Sequence, residues 1–155
     1  MGFNIVLIEP EIPTNTGNIG RLSLASGSSL HLVKPFGFEL DDKRVKRAGL
    51  DYWQHITLHI YDSIDDFFEK NKGKQFAFFS SHGAQDYTSI DYQDEMFLIF
   101  GKESMGLPKE LVAANSSKVY QIPIFSPHIR SLNLANSVSI VVYEGIRNLG
   151  LSRPL

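Results

Sequence analysis

The sequence contains no cysteine, which excludes disulfide bonds and cysteine-ligated zinc. Its apolar runs stay well below the roughly 20 residues that a membrane-spanning helix needs. The N-terminal segment MGFNIVLIEPEIP has no basic residue before its apolar stretch and soon carries Glu9 and Glu11, which is atypical of a signal peptide. Together these absences favour a protein of the cytoplasm.

An excess of positive charge is also missing. The 15 Lys and Arg residues are outnumbered by 17 Asp and Glu residues, and the formal net charge is −2. Neutralised phosphates supply much of the affinity for nucleic acid, so any RNA contact would have to come from a local basic patch. The candidate patch is the segment DDKRVKRAG, with Lys43, Arg44, Lys46 and Arg47. The alternative is a solvated helix face.

Short apolar runs alternate with helical patterns along the 155 residues, a length typical of one domain. The apolar runs predict strands at 3–8, 30–33, 56–61, 75–79, 96–100 and 119–122. The periodic segments predict helices from Thr16 to Ser26, from Asp41 and Asp42 to Gly49, from Ser63 to about Gly73, from Pro108 to about Ala114, and from Asn133 to Leu149. This alternation predicts a single α/β domain over 1–155, with a mostly parallel sheet flanked by helices.

Several common ligand motifs do not occur. The sequence has no GxxxxGKS or GxxxxGKT phosphate loop, no GxGxxG after the first strand and no GxSxG elbow. His55 and His59 lie four residues apart, but in a strand-like segment with no acidic partner at ligand spacing. We therefore expect no metal site.

Polar side chains are instead concentrated in three loops that each follow a predicted strand, where ligands of parallel sheets collect. The first loop leads into a helix with Asn15, Asn18 and Arg21, and we expect Arg21 about one turn beyond the helix start. The alternative is capping by Asn15 or Thr16, with Arg21 in solvent.

The second loop, FGKESMGLP at 100–108, places Glu103 between two glycines and before a helix that Pro108 begins. A ligand could approach the backbone closely there, although a tight turn with a dipole-stabilised carboxylate explains the pattern equally well. The third loop gathers polar residues at the mouth of the last helix: Arg130, Ser131, Asn133, Asn136 and Ser137. Helix capping needs only one such residue, so the excess indicates a functional site.

Four blocks, in this order, resemble the SPOUT methyltransferases, and most closely the small tRNA (cytidine/uridine-2'-O-) methyltransferases that modify the wobble nucleotide. The blocks are EPEIPTNTGNIGRL at 9–22, LHLVKPFGFELDDKRVKRAGLDYW at 30–53, FGKESMGLP at 100–108, and the Ile122-Pro123 pair with RSLNLANSVSIVVYEGIR at 130–147. The resemblance implies S-adenosylmethionine as cofactor, and as substrate cytidine 34 or a modified uridine 34 of leucine tRNAs. It also implies a C-terminal trefoil knot, and a homodimer with the first and last helices at the interface.

The resemblance also implies residue roles. The catalytic set is Arg21, Asn15, Glu103, Ser131 and Asn133. The cofactor-binding set is Phe79, Gly101, Ile122, Ser131 and Leu132. The RNA-binding set comes instead from the positions of basic residues: the patch of Lys43, Arg44, Lys46 and Arg47, together with Arg130 in the third loop. Departures from the family pattern fall at Lys102 and Met105, where relatives often have Pro and Arg, at Phe79-Ser80-Ser81-His82, and at Ser126-Pro127-His128.

The chemistry requires a ribose hydroxyl, a poor nucleophile, to lose its proton during attack on a methyl group. A guanidinium holds its proton at neutral pH, so two roles for Arg21 stay open. A neutral Arg21 could accept the proton, or a charged Arg21 could stabilise the forming alkoxide while a phosphate takes the proton. Two alternative functions remain: methylation of another tRNA or rRNA nucleotide, and RNA binding by a catalytically inactive protein. The presence of all five catalytic-set residues disfavours the second.

Overall fold

The computed structural model describes residues 2–41 and 43–150. Short strands alternate with helices along the chain, as the sequence predicts. The strands are β1 (Asn4–Ile8), β2 (Ser29–Val33), β3 (Leu58–Tyr61), β4 (Phe76–Phe79), β5 (Gln85–Asp86), β6 (Phe97–Phe100) and β7 (Val119–Gln121). The helices are α1 (Pro13–Ala25), α2 (Lys43–Gly49), α3 (Ile64–Lys70), α4 (Lys109–Ala114) and α5 (Leu134–Leu149).

The seven strands form one sheet in the order β3-β2-β1-β6-β4-β7-β5. Neighbouring strands in this order pair in parallel, for example with Leu7 opposite Leu32 on one side and Phe100 on the other. The predicted α/β fold with a parallel sheet is therefore confirmed. The two-residue strand β5 was not predicted, because a run this short carries no periodicity.

Each face of the sheet is covered by its own apolar core, because successive strand side chains point to opposite sides. Ile5 and Leu7 of β1 belong to the core that also contains Val138 and Val142 of α5. Val6 and Ile8 belong to the opposite core, with Phe67 of α3. Because both faces are buried, β4 and β6 are apolar throughout and β1 is apolar after Asn4.

Two predicted helix starts are confirmed by capping contacts. The Ser63 hydroxyl accepts a hydrogen bond from the Asp66 amide at 3.0 Å, ahead of α3. The Asn133 side chain accepts one from the Asn136 amide at 3.2 Å, ahead of α5. At its other end α5 stops at Gly150, whose φ of 65° is easily adopted by glycine.

The predicted start of α1 at Thr16 is wrong. The helix begins three residues earlier, at Pro13, where proline is well suited because its fixed φ matches the first helical turn. Thr16 is fully buried within α1, and its hydroxyl has no hydrogen-bond partner among the described residues. The predicted strand at 56–61 also starts later, at Leu58, after a 3₁₀ helix at Leu50–His55. Asp42, one of the two residues expected to start α2, lies outside the described residues.

Candidate active site

The three polar loops lie on the side of the sheet where the carboxyl ends of the parallel strands meet. The loop at 9–12 follows β1, the loop at 101–108 follows β6, and the loop at 122–133 follows β7. These strands are parallel, and β1, β6, β4 and β7 are consecutive in the sheet. Their carboxyl ends therefore bring the loops together, as the sequence predicted.

Glu103 caps the N-terminus of α1 from a loop about 90 residues away in sequence. Its carboxylate accepts hydrogen bonds from the backbone amides of Glu11 at 2.8 Å and Ile12 at 2.9 Å. Ile12 is the N-cap residue of α1 and supplies no side-chain cap of its own. A carboxylate stabilises the positive end of a helix dipole, so Glu103 provides the cap that the local sequence lacks.

Glu11 returns the contact to the second loop. Its carboxylate accepts hydrogen bonds from the Ser104 amide at 2.8 Å and the Ser104 hydroxyl at 2.7 Å. These bonds, the hydroxyl first, lower the pKa of Glu11, and the positive charge of Lys102 adds to the effect. Lys102 forms an ion pair with Glu9 at 3.3 Å. The first two loops are therefore joined in both directions.

Asn15 links this pair of loops to the third. Its side-chain amide donates to the Glu103 carboxylate at 3.2 Å, and its side-chain oxygen accepts from the Asn133 amide group at 3.2 Å. Asn133 in turn accepts from the Asn136 backbone. Because Glu103 can only accept and a backbone N–H can only donate, this chain fixes the orientation of both asparagine side chains.

Gly101 and Gly106 permit the tight second loop. The Gly106 amide donates to the Lys102 carbonyl at 2.8 Å, and Gly106 has a φ of 71°, which favours glycine. A Cβ added at Gly101 would lie 2.1 Å from the carbonyl carbon of Gly106. Any side chain at Gly101 would therefore open the loop.

The predicted cofactor residues gather at the ends of β4, β6 and β7. Phe79 is buried and stacks on Phe100, with ring centroids 4.6 Å apart. Ile122 and Leu132 are half-buried, whereas Ser131 is exposed. Phe79, Gly101 and Ile122 thus lie at the ends of consecutive strands, with Ser131 and Leu132 on the loop that follows β7.

Arg21 does not lie where the sequence placed it. Because α1 begins at Pro13, Arg21 is eight residues along the helix, a rise of about 12 Å, and not one turn from its start. Its guanidinium carbon lies 4.9 Å from the centroid of the Tyr52 ring. The hydrogen-bonded chain of Glu103, Asn15 and Asn133 therefore forms without Arg21.

The basic segment forms α2, with Val45 buried and Lys43, Arg44 and Arg47 exposed. The side chain of Lys46 lies outside the described ones. Arg130 is exposed in the third loop. The helix therefore offers a local basic surface on an acidic protein, and Arg130 directly precedes Ser131 in the third loop.

Residues 2–41 and 43–150 contain no group of three or more His, Asp or Glu residues placed to hold a metal ion. His59 is exposed and stacks on the buried His31, with ring centroids 4.6 Å apart. His31 contacts the Tyr61 hydroxyl and the Asn4 side-chain oxygen, both at 2.8 Å. Burial, with the neighbouring His59, lowers the pKa of His31 to about 3. No helix in the described part of the chain is both long and apolar enough to cross a membrane.

Sequence reasoning missed three residues of this region: Glu11, Ser104 and Tyr52. Glu11 and Ser104 both lie in the recognised motifs, but nothing in the local sequence reveals that the carboxylate of Glu11 binds Ser104. Tyr52 lies in the second matching block, and its contact with Arg21 depends on how the 3₁₀ helix packs on α1. Only the packed structure supplies these pairings.

Comparison with known proteins identifies the family of the chain. The chain belongs to the SpoU rRNA Methylase family, whose model matches residues 2–143. The tRNA (cytidine(34)-2'-O)-methyltransferase of Escherichia coli (strain K12) is 43% identical over 149 residues, which cover 96% of this chain and 94% of the relative.

Solved structures extend the comparison to the fold. One, described as giving structural insights into the 2-OH methylation of C/U34 on tRNA, has a TM-score of 0.91 and 41% identity, with 96% of each chain covered. An AdoMet-bound rRNA methyltransferase from Sinorhizobium meliloti has a TM-score of 0.86 and 28% identity, covering 97% of this chain and 57% of that one.

Proposed function

We propose that this protein transfers a methyl group from S-adenosylmethionine to the ribose 2'-hydroxyl of the wobble nucleotide of tRNA, cytidine 34 or a modified uridine 34 of leucine tRNAs. The observation that carries the proposal is the similarity to the tRNA (cytidine(34)-2'-O)-methyltransferase of Escherichia coli (strain K12). The two sequences are 43% identical over 96% of this chain. The connected side chains of Glu103, Asn15 and Asn133 support it, because they join the three loops that carry the resemblance.

The ends of β4, β6 and β7 fit the cofactor chemically. The half-buried side chains of Ile122 and Leu132 offer apolar surface for an adenine ring, and the backbone at Gly101 and Ser131 offers polar groups. S-Adenosylmethionine supplies an electrophilic sulfonium methyl group, so the protein has to align the ribose hydroxyl with it. The new bond forms at the ribose oxygen, the carbon–sulfur bond breaks, and its electron pair stays on sulfur.

In this proposal the catalytic set divides by role. Glu103 directs its carboxylate at α1 and Asn15, so it acts as a positioning residue that holds the first and third loops. Asn133 begins α5 and connects it to Asn15. Arg21, Ser131 and Asn133 are all exposed. Arg21 and Ser131 lie outside the chain of hydrogen bonds that joins Glu103, Asn15 and Asn133, and we propose that they touch the ribose or its proton.

Recognition of tRNA is assigned to α2 and Arg130. Lys43, Arg44 and Arg47 are exposed there, and Lys46 completes the set from the sequence. Because the net charge is −2, the protein as a whole does not attract phosphates strongly, and we propose that this local patch supplies the phosphate contacts. A tRNA substrate agrees with a cytoplasmic enzyme of one domain, residues 1–155.

We further propose a homodimer and a C-terminal knot. Ile140 and Tyr143 leave apolar surface on the outer side of α5, with exposures of 37% and 48%, and α5 packs beside α1. A second copy covering this surface would bring two sites into one assembly. The knot follows from the family resemblance of the segment after β7.

The test is methyl transfer to two leucine tRNA transcripts that differ by one oxygen. One carries cytidine 34, and the other carries 2'-deoxycytidine 34. We expect labelled methyl from S-adenosylmethionine to enter only the first. Equal labelling of both would move the target to another nucleotide, whereas RNA binding without labelling would indicate an inactive RNA-binding protein.

Ligand binding and cells provide independent checks. Calorimetry should show S-adenosylmethionine binding to the folded protein with no metal added, and absence of binding would contradict the cofactor assignment. Ribose-methylation mapping of tRNA from cells lacking the gene should show loss at position 34. The wild-type gene should restore the mark, and an Arg21→Ala gene should not.

A further inference from the structure

Tyr52 is held against the outer surface of α1 by close packing. It lies in the 3₁₀ helix at Leu50–His55, between α2 and β3. At the contact, a Cβ added to Gly20 would lie 2.8 Å from Trp53 and 2.8 Å from Ile56. Gly20 therefore lets the segment approach α1 more closely than any other residue would allow.

This approach places the Tyr52 ring beside Arg21, the residue after Gly20. The guanidinium carbon lies 4.9 Å from the ring centroid, within the range of a cation–π contact. Tyr52 is 38% exposed, so part of its surface faces solvent while it contacts Arg21. A long, exposed arginine side chain otherwise samples many rotamers. The ring therefore restricts where the guanidinium can lie.

We propose that Tyr52 is a positioning residue that restrains the guanidinium of Arg21, as a cation, in the place from which it meets the ribose hydroxyl in the proposed reaction. The aromatic face attracts the positive charge and has no such attraction for a neutral guanidine. Arg21 then stabilises the negative charge that develops on the ribose oxygen. The hydroxyl proton passes to a phosphate oxygen of the RNA as the oxygen–methyl bond forms. This inference rests on the proposed methyl transfer and chooses between the two roles left open for Arg21.

Two substitutions at Tyr52 separate the ring from the rest of the side chain. Tyr52→Phe keeps the aromatic face and should leave kcat within about twofold of the wild-type value, since the phenol takes no part. Tyr52→Leu keeps apolar bulk but removes the face, and should lower kcat about fivefold or more through misplacement of Arg21. KM for tRNA and the affinity for S-adenosylmethionine should change little in both variants.

Equal loss in both variants would overturn the proposal and assign a role to the phenol hydroxyl. No loss in Tyr52→Leu would also overturn it. The pH dependence of kcat gives a further check, because Tyr52→Phe should reproduce the wild-type profile. A changed profile in that variant would indicate that the phenol moves a proton.

NMR spectroscopy without RNA tests the contact between Tyr52 and Arg21 independently of the proposed methyl transfer. The ring should shift the NMR signals of the Arg21 δ and ε protons upfield in the wild type and in Tyr52→Phe, and the shift should vanish in Tyr52→Leu. Unshifted wild-type signals would overturn the positioning claim even in an active enzyme. Shifted signals in a protein that methylates no tRNA would contradict the proposed function and leave the Arg21–Tyr52 contact confirmed.

Discussion

Glu11 and Glu103 exchange hydrogen bonds across two loops: the Glu103 carboxylate accepts from the Glu11 amide at 2.8 Å, and the Glu11 carboxylate accepts from the amide that follows Glu103. Each carboxylate thus satisfies backbone donors of the other's loop. Repulsion between the two carboxylates is reduced because each accepts hydrogen bonds from backbone N–H groups. The positive charge of Lys102 also lies nearby. The arrangement fixes the relative position of β1 and β6 at the edge where the proposed chemistry occurs.

Glu103→Gln should destabilise the protein by about 0.5–2 kcal/mol, the usual cost of weakening a helix N-cap. A glutamine keeps the shape but has one acceptor oxygen, whereas Glu103 accepts three hydrogen bonds in total. Its new NH2 group would also face donors. Urea unfolding measures the change in the free energy of unfolding, and calorimetry should show weaker S-adenosylmethionine binding as the loops loosen.

Glu110→Gln is the matched control, since Glu110 is exposed in the first turn of α4. We expect it to change the free energy of unfolding by no more than about 0.5 kcal/mol. Equal effects of the two substitutions would show that the charge, and not the capping of α1, accounts for the loss.

The sequence predicted much of the fold because its central strands are apolar on both faces and two helices carry local caps. Asn133, for example, marks the start of α5 by its own side chain. The start of α1 was missed because its cap comes from Glu103, which no local pattern reveals. The same missing cap explains the wrong expectation for Arg21. Because the helix begins three residues earlier than predicted, Arg21 lies about 4.5 Å farther along the axis from the helix start than expected.

The site was predictable at the level of loops but not of contacts. Excess polar residues after β1, β6 and β7 predicted a candidate site in the loops that follow these strands, and parallel pairing brings the three loops together. The link from Asn15 to Asn133 spans 118 positions, so it depends on tertiary structure alone. The same holds for Tyr52, whose ring meets Arg21 because Gly20 lets two helices approach.

Stability should fall with acid through His31. Its folded pKa is lowered to about 3, while an unfolded histidine titrates near 6.5. Between these values the unfolded chain binds a proton that the native state does not. The free energy of unfolding should therefore decrease as pH falls from about 6.5 toward 3, by at most about 1.4 kcal/mol per unit from this group. Above pH 6.5 His31 should contribute no slope.

Urea unfolding at a series of pH values, with His31→Gln as the variant, tests this expectation. Removing the titrating ring should flatten the curve between pH 5 and 6.5. His55→Gln is the control, because His55 is exposed and should leave the slope as it is. If the free energy of unfolding changes with pH in the same way in the wild type and in His31→Gln, His31 does not cause the loss of stability in acid.

The proposed dimer predicts that Tyr143→Glu yields monomers. A carboxylate on the outer side of α5 would be buried unpaired against a second copy, which is strongly unfavourable. Light scattering should give about twice the 17.4 kDa chain mass for the wild type and one chain mass for the variant. Ile60→Glu, at the exposed edge strand β3, should remain dimeric. A wild-type monomer at micromolar concentration would contradict the dimer.

The basic surface of α2 should govern the salt dependence of tRNA binding. Each phosphate contact contributes about 0.7–0.9 to the slope of log affinity against log salt. Replacing Lys43, Arg44, Lys46 and Arg47 by alanine should therefore reduce the magnitude of the slope by about 2.8–3.6 if all four contact phosphates. The affinity for S-adenosylmethionine should be unchanged, because α2 lies apart from the ends of β4, β6 and β7. The control replaces Lys70, Lys72 and Lys74, at and after the end of α3, removing similar charge elsewhere. Equal flattening by the α2 variant and the control variant would show that tRNA binding depends on the net charge of the protein alone. In that case α2 is a solvated helix with no dedicated role in tRNA binding.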